Sequence, residues 1–442
     1  MHTFFEELGR NLHDPLSSLI LQILVILVVA RICGDLVARL GQPRVIGEIL
    51  AGIFLGPSLL QPVAPALHAF IFPEGSMQRL YFLSQIGILL FMFIVGLELD
   101  LKALRSKARS AIVISQVSIA VPFSLGLGLA FLLSADYGPR DKGFSAFALF
   151  MGIAMSITAF PVLARIIQEQ GLTRTRLGTM AITCAAVDDV TAWCLLALVV
   201  GLVQSGTGIG AAWTIGLAAL YTLFMLIVVR GFLYRRPRMT AHDAQLRSGL
   251  LAFIFIVLLI SAWITEMIGI HALFGAFLMG VVMPDHNGFR EKLIARIHDV
   301  TTVVLLPLFF AFTGLRTQIG LLDDVQSWSI CGLVLLVAIL GKFGGAAFAA
   351  RTTGHSWRTS CILGALMNAR GLVELVVLNL GYDLGILGPK IFAMMVIMAV
   401  ATTMMTGLVM HWLKPQVGDE GEGSAGAVGD GNDKLVAGPM SP

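Results

Sequence analysis

Apolar stretches of 17 to 27 residues follow one another along almost the whole chain, with short polar segments between them. Thirteen can be marked off: 16–33, 43–60, 81–98, 111–134, 144–167, 177–203, 211–234, 247–265, 268–284, 300–316, 329–350, 357–381 and 390–413. A helix rises ~1.5 Å per residue, so ~20 residues cross a hydrocarbon core of ~30 Å, and runs of this length predict membrane-spanning helices rather than strands. The expectation is an all-α integral membrane protein with about 13 transmembrane helices and no sizeable soluble domain. Three regions follow: 1–15 as a polar N-terminal extracytoplasmic segment, 16–413 as the transmembrane domain, and 414–442 as a cytoplasmic tail. That tail is Gly-rich and acidic, too polar to build a core, and reads as disordered.

Composition agrees. Of 442 residues 57% are hydrophobic and 13% charged, with a mean hydropathy of +0.87, where soluble domains carry about 25% charged residues. The five cysteines lie in or at the ends of apolar runs without a CxxC pair, so neither disulfides nor a zinc site is expected. The N-terminus lacks the basic stretch and small-residue cleavage site of a signal peptide. A net charge of +3, scattered over short loops, does not suggest nucleic-acid binding. No GxGxxG follows a strand, and no cofactor is expected. The placement of Lys and Arg sets an orientation, because short cytoplasmic loops are enriched in them. With the N-terminus outside, 22 of the 30 fall on the cytoplasmic side and six on the other. The last two, Lys342 and Arg370, lie within spans.

Two pairs of segments repeat at the same offset. "IGEILAGIFLGP" in span 2 resembles "FGAFLMGVVMP" in span 9 through Gly47/Gly52 and Gly275/Gly280, and "LFMFIVGLELDL" in span 3 resembles "LFFAFTGLRTQI" in span 10 through Gly96 and Gly314. An offset of seven spans is odd, so the halves cross the membrane in opposite directions as an inverted repeat, with span 7 as connector. Transporters built this way carry broken helices at corresponding places, with the binding site between them. Span 5 contains "AMSITAFPVLARI", where Pro161 lacks an amide donor and disfavours helical geometry at Phe160. Its partner, span 12, reads "GALMNARGLVELVV", interrupted at Asn368, Arg370 and Gly371.

A charge at the bilayer centre costs ~2.5–3.5 kcal/mol on insertion scales, so such residues face the protein interior or a watery path. Asp188 and Asp189 lie about twelve residues into span 6, near mid-depth. Neighbours on a helix diverge by ~100°, so the two cannot face one partner. Lys342, near the middle of span 11 with Gly341, Gly344 and Gly345 around it to permit close approach, is the obvious counter-ion. One aspartate is left to line the path and let cation and proton compete. Arg370 and Glu374 stand at i, i+4 and read as supporting charges that neutralise the broken backbones. Thr158 and Ser156 read first as hydroxyls bonded within their helix. Glu48 and His271 sit near membrane ends, where solvation or a packing bond accounts for each, although His271 could also sense pH.

"VIGEILAGIFLGPSLL", "ITAFPVLARII", "AAVDDVTAW", "LPLFFAFTGL" and "NARGLVELVVLNLG", in this order from Leu16 to Trp412, resemble the monovalent cation:proton antiporter-2 family, which includes the Kef-type transporters and the plant cation/proton exchangers. The resemblance implies a sodium/proton antiporter-like fold of two inverted repeats with crossed discontinuous helices, a homodimer in a lipid bilayer, and an elevator-like step. It implies Na+ or K+ and H+ as substrates, bound by Asp189, with Asp188 paired to Lys342 and Thr158 as a further ligand. No metal site is implied beyond the transported cation at Asp189. Kef-type members also carry a nucleotide-binding domain; the tail here offers none, and dinucleotide regulation is not expected. The bacterial inner membrane is the expected location.

Three alternatives compete. A K+ efflux channel needs weak, multi-site binding, which a buried Asp/Lys cluster does not suit. An organic-anion symporter of similar fold would not call for paired aspartates. An intramembrane aspartyl protease needs two aspartates brought together, and adjacent ones point apart, so no enzyme is expected.

Overall fold

The computed structural model describes residues 14–73, 75–98, 108–139, 143–172, 175–205, 208–235, 248–285 and 288–413. The tail 414–442 and nearly all of the segment 1–15 lie outside the described residues. The chain is helical almost throughout: α1 (Pro15–Arg39), α2 (Arg44–Leu55), α3 (Ser76–Glu98), α4 (Ala108–Tyr137), the halves α5a (Gly143–Ser156) and α5b (Phe160–Glu169), and α6 (Arg176–Ser205). Then come α7 (Gly208–Phe224, continued to Tyr234), α8 (Ser248–Ile268), α9 (Ala272–Val282), α10 (Phe289–Val300, continued through Leu306–Arg316), α11 (Val325–Ile339, continued through Gly345–Thr352), the halves α12a (Trp357–Met367) and α12b (Leu372–Asp383), and α13 (Pro389–Leu413). Side chains start several of them: Asp14 accepts the Leu16 amide at 3.0 Å, and Asp324 the Ser327 amide at 2.7 Å.

Among the described residues, ten helices are long and apolar enough to cross a membrane. The three remaining predicted segments are the two broken ones and α9, so length alone does not bring the count to thirteen. Helix α9 is shorter than its apolar run, 268–284, because Gly269 and His271 take positive φ (91° and 78°) and the helix starts only at Ala272. There the Ala272 amide meets Glu266 Oε2 at 2.7 Å, and the Leu273 amide meets His271 Nδ1 at 3.3 Å.

The helices pack as two sets. α1, α2, α3, α8, α9 and α10 pack on one another; α4, α5a, α5b, α6, α11, α12a, α12b and α13 form the second set, with α7 lying mainly against α6. Each set takes three spans from each half of the chain. The repeated glycines show why. A Cβ on Gly52 of α2 would collide with the Ala311 carbonyl of α10, and one on Gly314 of α10 with the Ile49 carbonyl of α2. In the same way Gly96 of α3 stands against the Phe277 carbonyl of α9, and Gly280 of α9 against the Phe93 carbonyl of α3. Gly47 lies on Cys33 of α1, and its counterpart Gly275 lies on Ser261 of α8. The sequence repeat is thus a structural one: equivalent glycines make equivalent backbone crossings, the close approach that lipid-embedded helices use in place of a hydrophobic drive.

Overpacking such a crossing costs about 1–3 kcal/mol or more. Gly52→Ala is therefore expected to lower the melting temperature in detergent, while Gly128→Ala, whose Cβ would meet nothing within 4 Å, should not. Equal melting of the two variants would remove the crossing from the account of stability.

At the membrane side on which α1 begins, the two sets are joined by Arg316, the last residue of α10. Its guanidinium lies 2.7 Å from Asp383 Oδ1 and 3.2 Å from Asn379 Oδ1, both on α12b. The rings of Phe312, Tyr382 and Tyr81 surround it, with centroids 4.7, 5.0 and 5.4 Å from Cζ.

Candidate functional site

The second set is built around two helix breaks that touch. Residues 157–159 separate α5a from α5b, and 368–371 separate α12a from α12b. The Ala159 amide donates to the Ala369 carbonyl at 3.0 Å, and Thr158 Oγ1 reaches the Met367 carbonyl at 3.1 Å. Pro161 is not where the helix bends. It is the second residue of α5b, and Phe160, expected to be non-helical, is the first. The missing amide costs nothing in a first helical turn, whose N–H groups have no intrahelical acceptor. Gly371 fits because a Cβ there would stand 2.9 Å from Val162 Cγ2 of α5b.

Broken helices leave carbonyls unsatisfied where no water can reach them, so partners must come from the protein. Arg370 donates to the carbonyls of Ala154 at 3.0 Å and Met155 at 2.7 Å, and Lys342 donates to that of Ser156. Two cations therefore face the C-terminal end of α5a, where the helix dipole is negative. Thr403 of α13 receives the Arg370 amide at 3.2 Å and donates to the Arg370 carbonyl at 2.6 Å. Arg370 is fully buried and pairs with Glu374 at 2.9 Å. Arg370 Nε and Glu374 Oε2 have no hydrogen-bond partner.

Both aspartates sit on α6 and their surroundings differ completely. Asp188 is saturated. Its Oδ2 accepts from Lys342 Nζ at 2.8 Å, Thr158 Oγ1 at 2.7 Å and Ser118 Oγ at 3.1 Å, and its Oδ1 accepts from Ser115 Oγ at 2.5 Å. Lys342 is wholly buried and stands in the π turn Leu340–Gly344 of α11, a local widening that re-aims a side chain. Of the glycines around it, Gly341 and Gly345 lie close on Pro122 and Val121 of α4, while Gly344 faces open space. Asp189 is 2% exposed, and neither of its carboxylate oxygens has a hydrogen-bond partner. The Phe160 amide at the start of α5b is directed at it without meeting hydrogen-bond geometry.

The structure thus brings together Asp188, Lys342 and Thr158, and places Asp189 beside them on a different face. Thr158, expected first to bond within its helix, instead lies in the break with its hydroxyl committed to Asp188 and Met367. Ser156 does bond within its helix, to Gly152 at 2.6 Å. Ser115, Ser118 and Thr403 were not singled out from the sequence. Hydroxyls in membrane helices are common and usually bond the preceding turn, so only the packing of α4 and α13 distinguishes these.

A buried carboxylate without a partner, beside a fixed ion pair and at the crossing of two broken membrane helices, defines an ion-coupled membrane transporter. The comparisons narrow the class. Residues 24–414 match the model of the sodium/hydrogen exchanger transmembrane family, and the chain belongs to that family. It is 45% identical over 403 residues to the Na+/H+ antiporter NhaS4 of Synechocystis, covering 91% of this chain and 98% of the relative. It is 39% identical to cation/H+ antiporter 17 of Arabidopsis thaliana and 33% identical to K+/H+ antiporter 1 of Saccharomyces cerevisiae, spanning 50% and 46% of those longer proteins. The sodium proton antiporter MjNhaP1 of Methanocaldococcus jannaschii has the same fold, with a TM-score of 0.61 at 15% identity over 90% of this chain and 98% of that one. The chain is an integral membrane transporter and not an enzyme.

Proposed function

We propose that the chain is a secondary antiporter that exchanges Na+ or K+ for H+ by alternating access, with Asp189 as the one carrier of both. The contrast between the two aspartates carries this reading. Asp188 has both oxygens hydrogen-bonded and acts as a fixed charge, whereas Asp189 is buried with neither oxygen hydrogen-bonded, which leaves its carboxyl able to take a cation or a proton. Cation and proton compete for one carboxylate, so binding of either on one side requires release of the other, and no ATP is needed. Arg370 and Glu374 hold the crossing, Pro161 and Gly371 flank the breaks, and Thr158 ties the first break to Asp188. The names of the Synechocystis and yeast relatives support Na+ and K+ as the candidate cations.

The packing of the helices as two separate sets favours a body that moves over a channel. The distribution of Lys and Arg supports an orientation with the end where α1 begins outside the cell and the C-terminus in the cytoplasm. The exchanger unit covers 16–413 and works as a homodimer in the bacterial inner membrane.

The test is proton efflux from acid-loaded proteoliposomes, followed with a pH dye on addition of Na+, K+ or Li+. Alkalinisation that depends on the cation is expected, and its size across the series ranks the ions. No response to any of them would overturn the reading.

A further inference from the structure

Trp193 lies four residues after Asp189 on α6, one helical turn closer to the side on which α1 begins and on the same helix face. Its ring is 3% exposed and stacks on Phe277 of α9, with centroids 6.1 Å apart and planes 23° from parallel. The stack therefore bridges the two helix sets at the level just beyond the free carboxylate. Past it, a further turn along the same face, a small cavity opens between the sets, lined by Leu196, Ala197, His271, Phe274, Val376 and Leu380, together with Trp193 itself. The indole N–H has no hydrogen-bond partner although it is buried. Beyond the cavity stands Arg316 with Asp383.

We infer that Trp193 and Phe277 form the barrier that closes Asp189 off from the outer side, and that the cavity is the outer end of the ion path. This rests on the reading of Asp189 as the carrier. The physical basis is dewetting: a constriction of apolar rings excludes water and therefore excludes an ion that needs it. The barrier is made by one residue from each set, so it opens when the sets shift against each other and needs no separate lid. The indole N–H is the one polar group the stack offers to water or to a hydrated cation passing it, a donor that cannot coordinate the cation itself.

The test is thiol accessibility in full-length protein whose five cysteines are replaced by serine. A membrane-impermeant thiol reagent is added to oriented vesicles from each side separately. Ala197→Cys, in the cavity, is expected to label from the side on which α1 begins. Ala186→Cys, one turn to the other side of Asp189, is expected to be shielded from that side and to gain labelling when Trp193→Ala is added. Trp193→Phe, which keeps a ring, should leave it shielded. If Trp193→Ala does not fold, Phe277→Ala removes the other half of the stack and carries the same expectation. Equal labelling of Ala186→Cys with and without the ring would overturn the barrier, as would failure of Ala197→Cys to label from that side. The proteoliposome exchange assay reports on the carrier independently of either labelling result.

Discussion

Asp189→Asn is expected to abolish cation-dependent proton movement in proteoliposomes for Na+, K+ and Li+ alike. The amide has the same shape as the carboxylate but carries no charge and takes up no proton at any working pH, so neither substrate has a seat. The protein should fold as before, because Asp189 makes no hydrogen bond that the change would break. Asn replaces one buried polar group without a partner by another of the same shape, so stability should stay close to the wild-type value. The two readouts together separate a lost carrier from a lost fold: exchange goes to background while the melting temperature in detergent holds. Exchange at wild-type rate in this variant would take Asp189 out of the mechanism.

Lys342→Met is expected to have the largest effect on stability. Both partners of the Lys342–Asp188 pair are buried, at 2.8 Å, and removing one member of such a pair typically costs about 3–5 kcal/mol because the other charge is left uncompensated. Here the Ser156 carbonyl at the end of α5a also loses its donor. A large drop in melting temperature should follow. Adding Asp188→Asn should recover much of it, since the orphaned charge is then gone, and that recovery measures the coupling between the two residues. Melting of Lys342→Met at the wild-type temperature, or no recovery in the double variant, would show that the pair does not hold the crossing together.

Much of this was legible in the residue pattern. Apolar runs gave the helices, the seven-span offset gave the inverted repeat, and the rarity of charge at mid-depth pointed to Asp188, Asp189 and Lys342. The glycine pairs, read as a weak repeat, are the contacts that make the two halves equivalent. Periodicity did not say which aspartate meets the lysine. That depends on how α6 is rotated against α4 and α11, a long-range packing choice; the resemblance supplied it, and in the structure Lys342 stands 2.8 Å from Asp188. Nor did it place the break in span 5. Pro161 marks a helix boundary from sequence, but a proline is as well suited to opening a helix as to ending one, and only the crossing with Ala369 fixes the break at 157–159. The serines around Asp188 carried no signal at all, because one hydroxyl in a membrane helix looks like another until its neighbour is known.

The pairing of charges in the second set has a consequence for energy supply. Asp188 is cancelled by Lys342, and Arg370 by Glu374, so of these five buried groups the proposed cycle alters the charge of Asp189 alone. Loaded with a proton it is neutral, and loaded with a monovalent cation the complex is neutral too. A body that carries the same charge on both journeys gains nothing from a membrane potential, which otherwise supplies about 2.3 kcal/mol per elementary charge per 100 mV. An exchanger built on this arrangement runs on the ratio of concentrations alone, and holding the voltage at any value should leave its reversal point where the two chemical gradients balance.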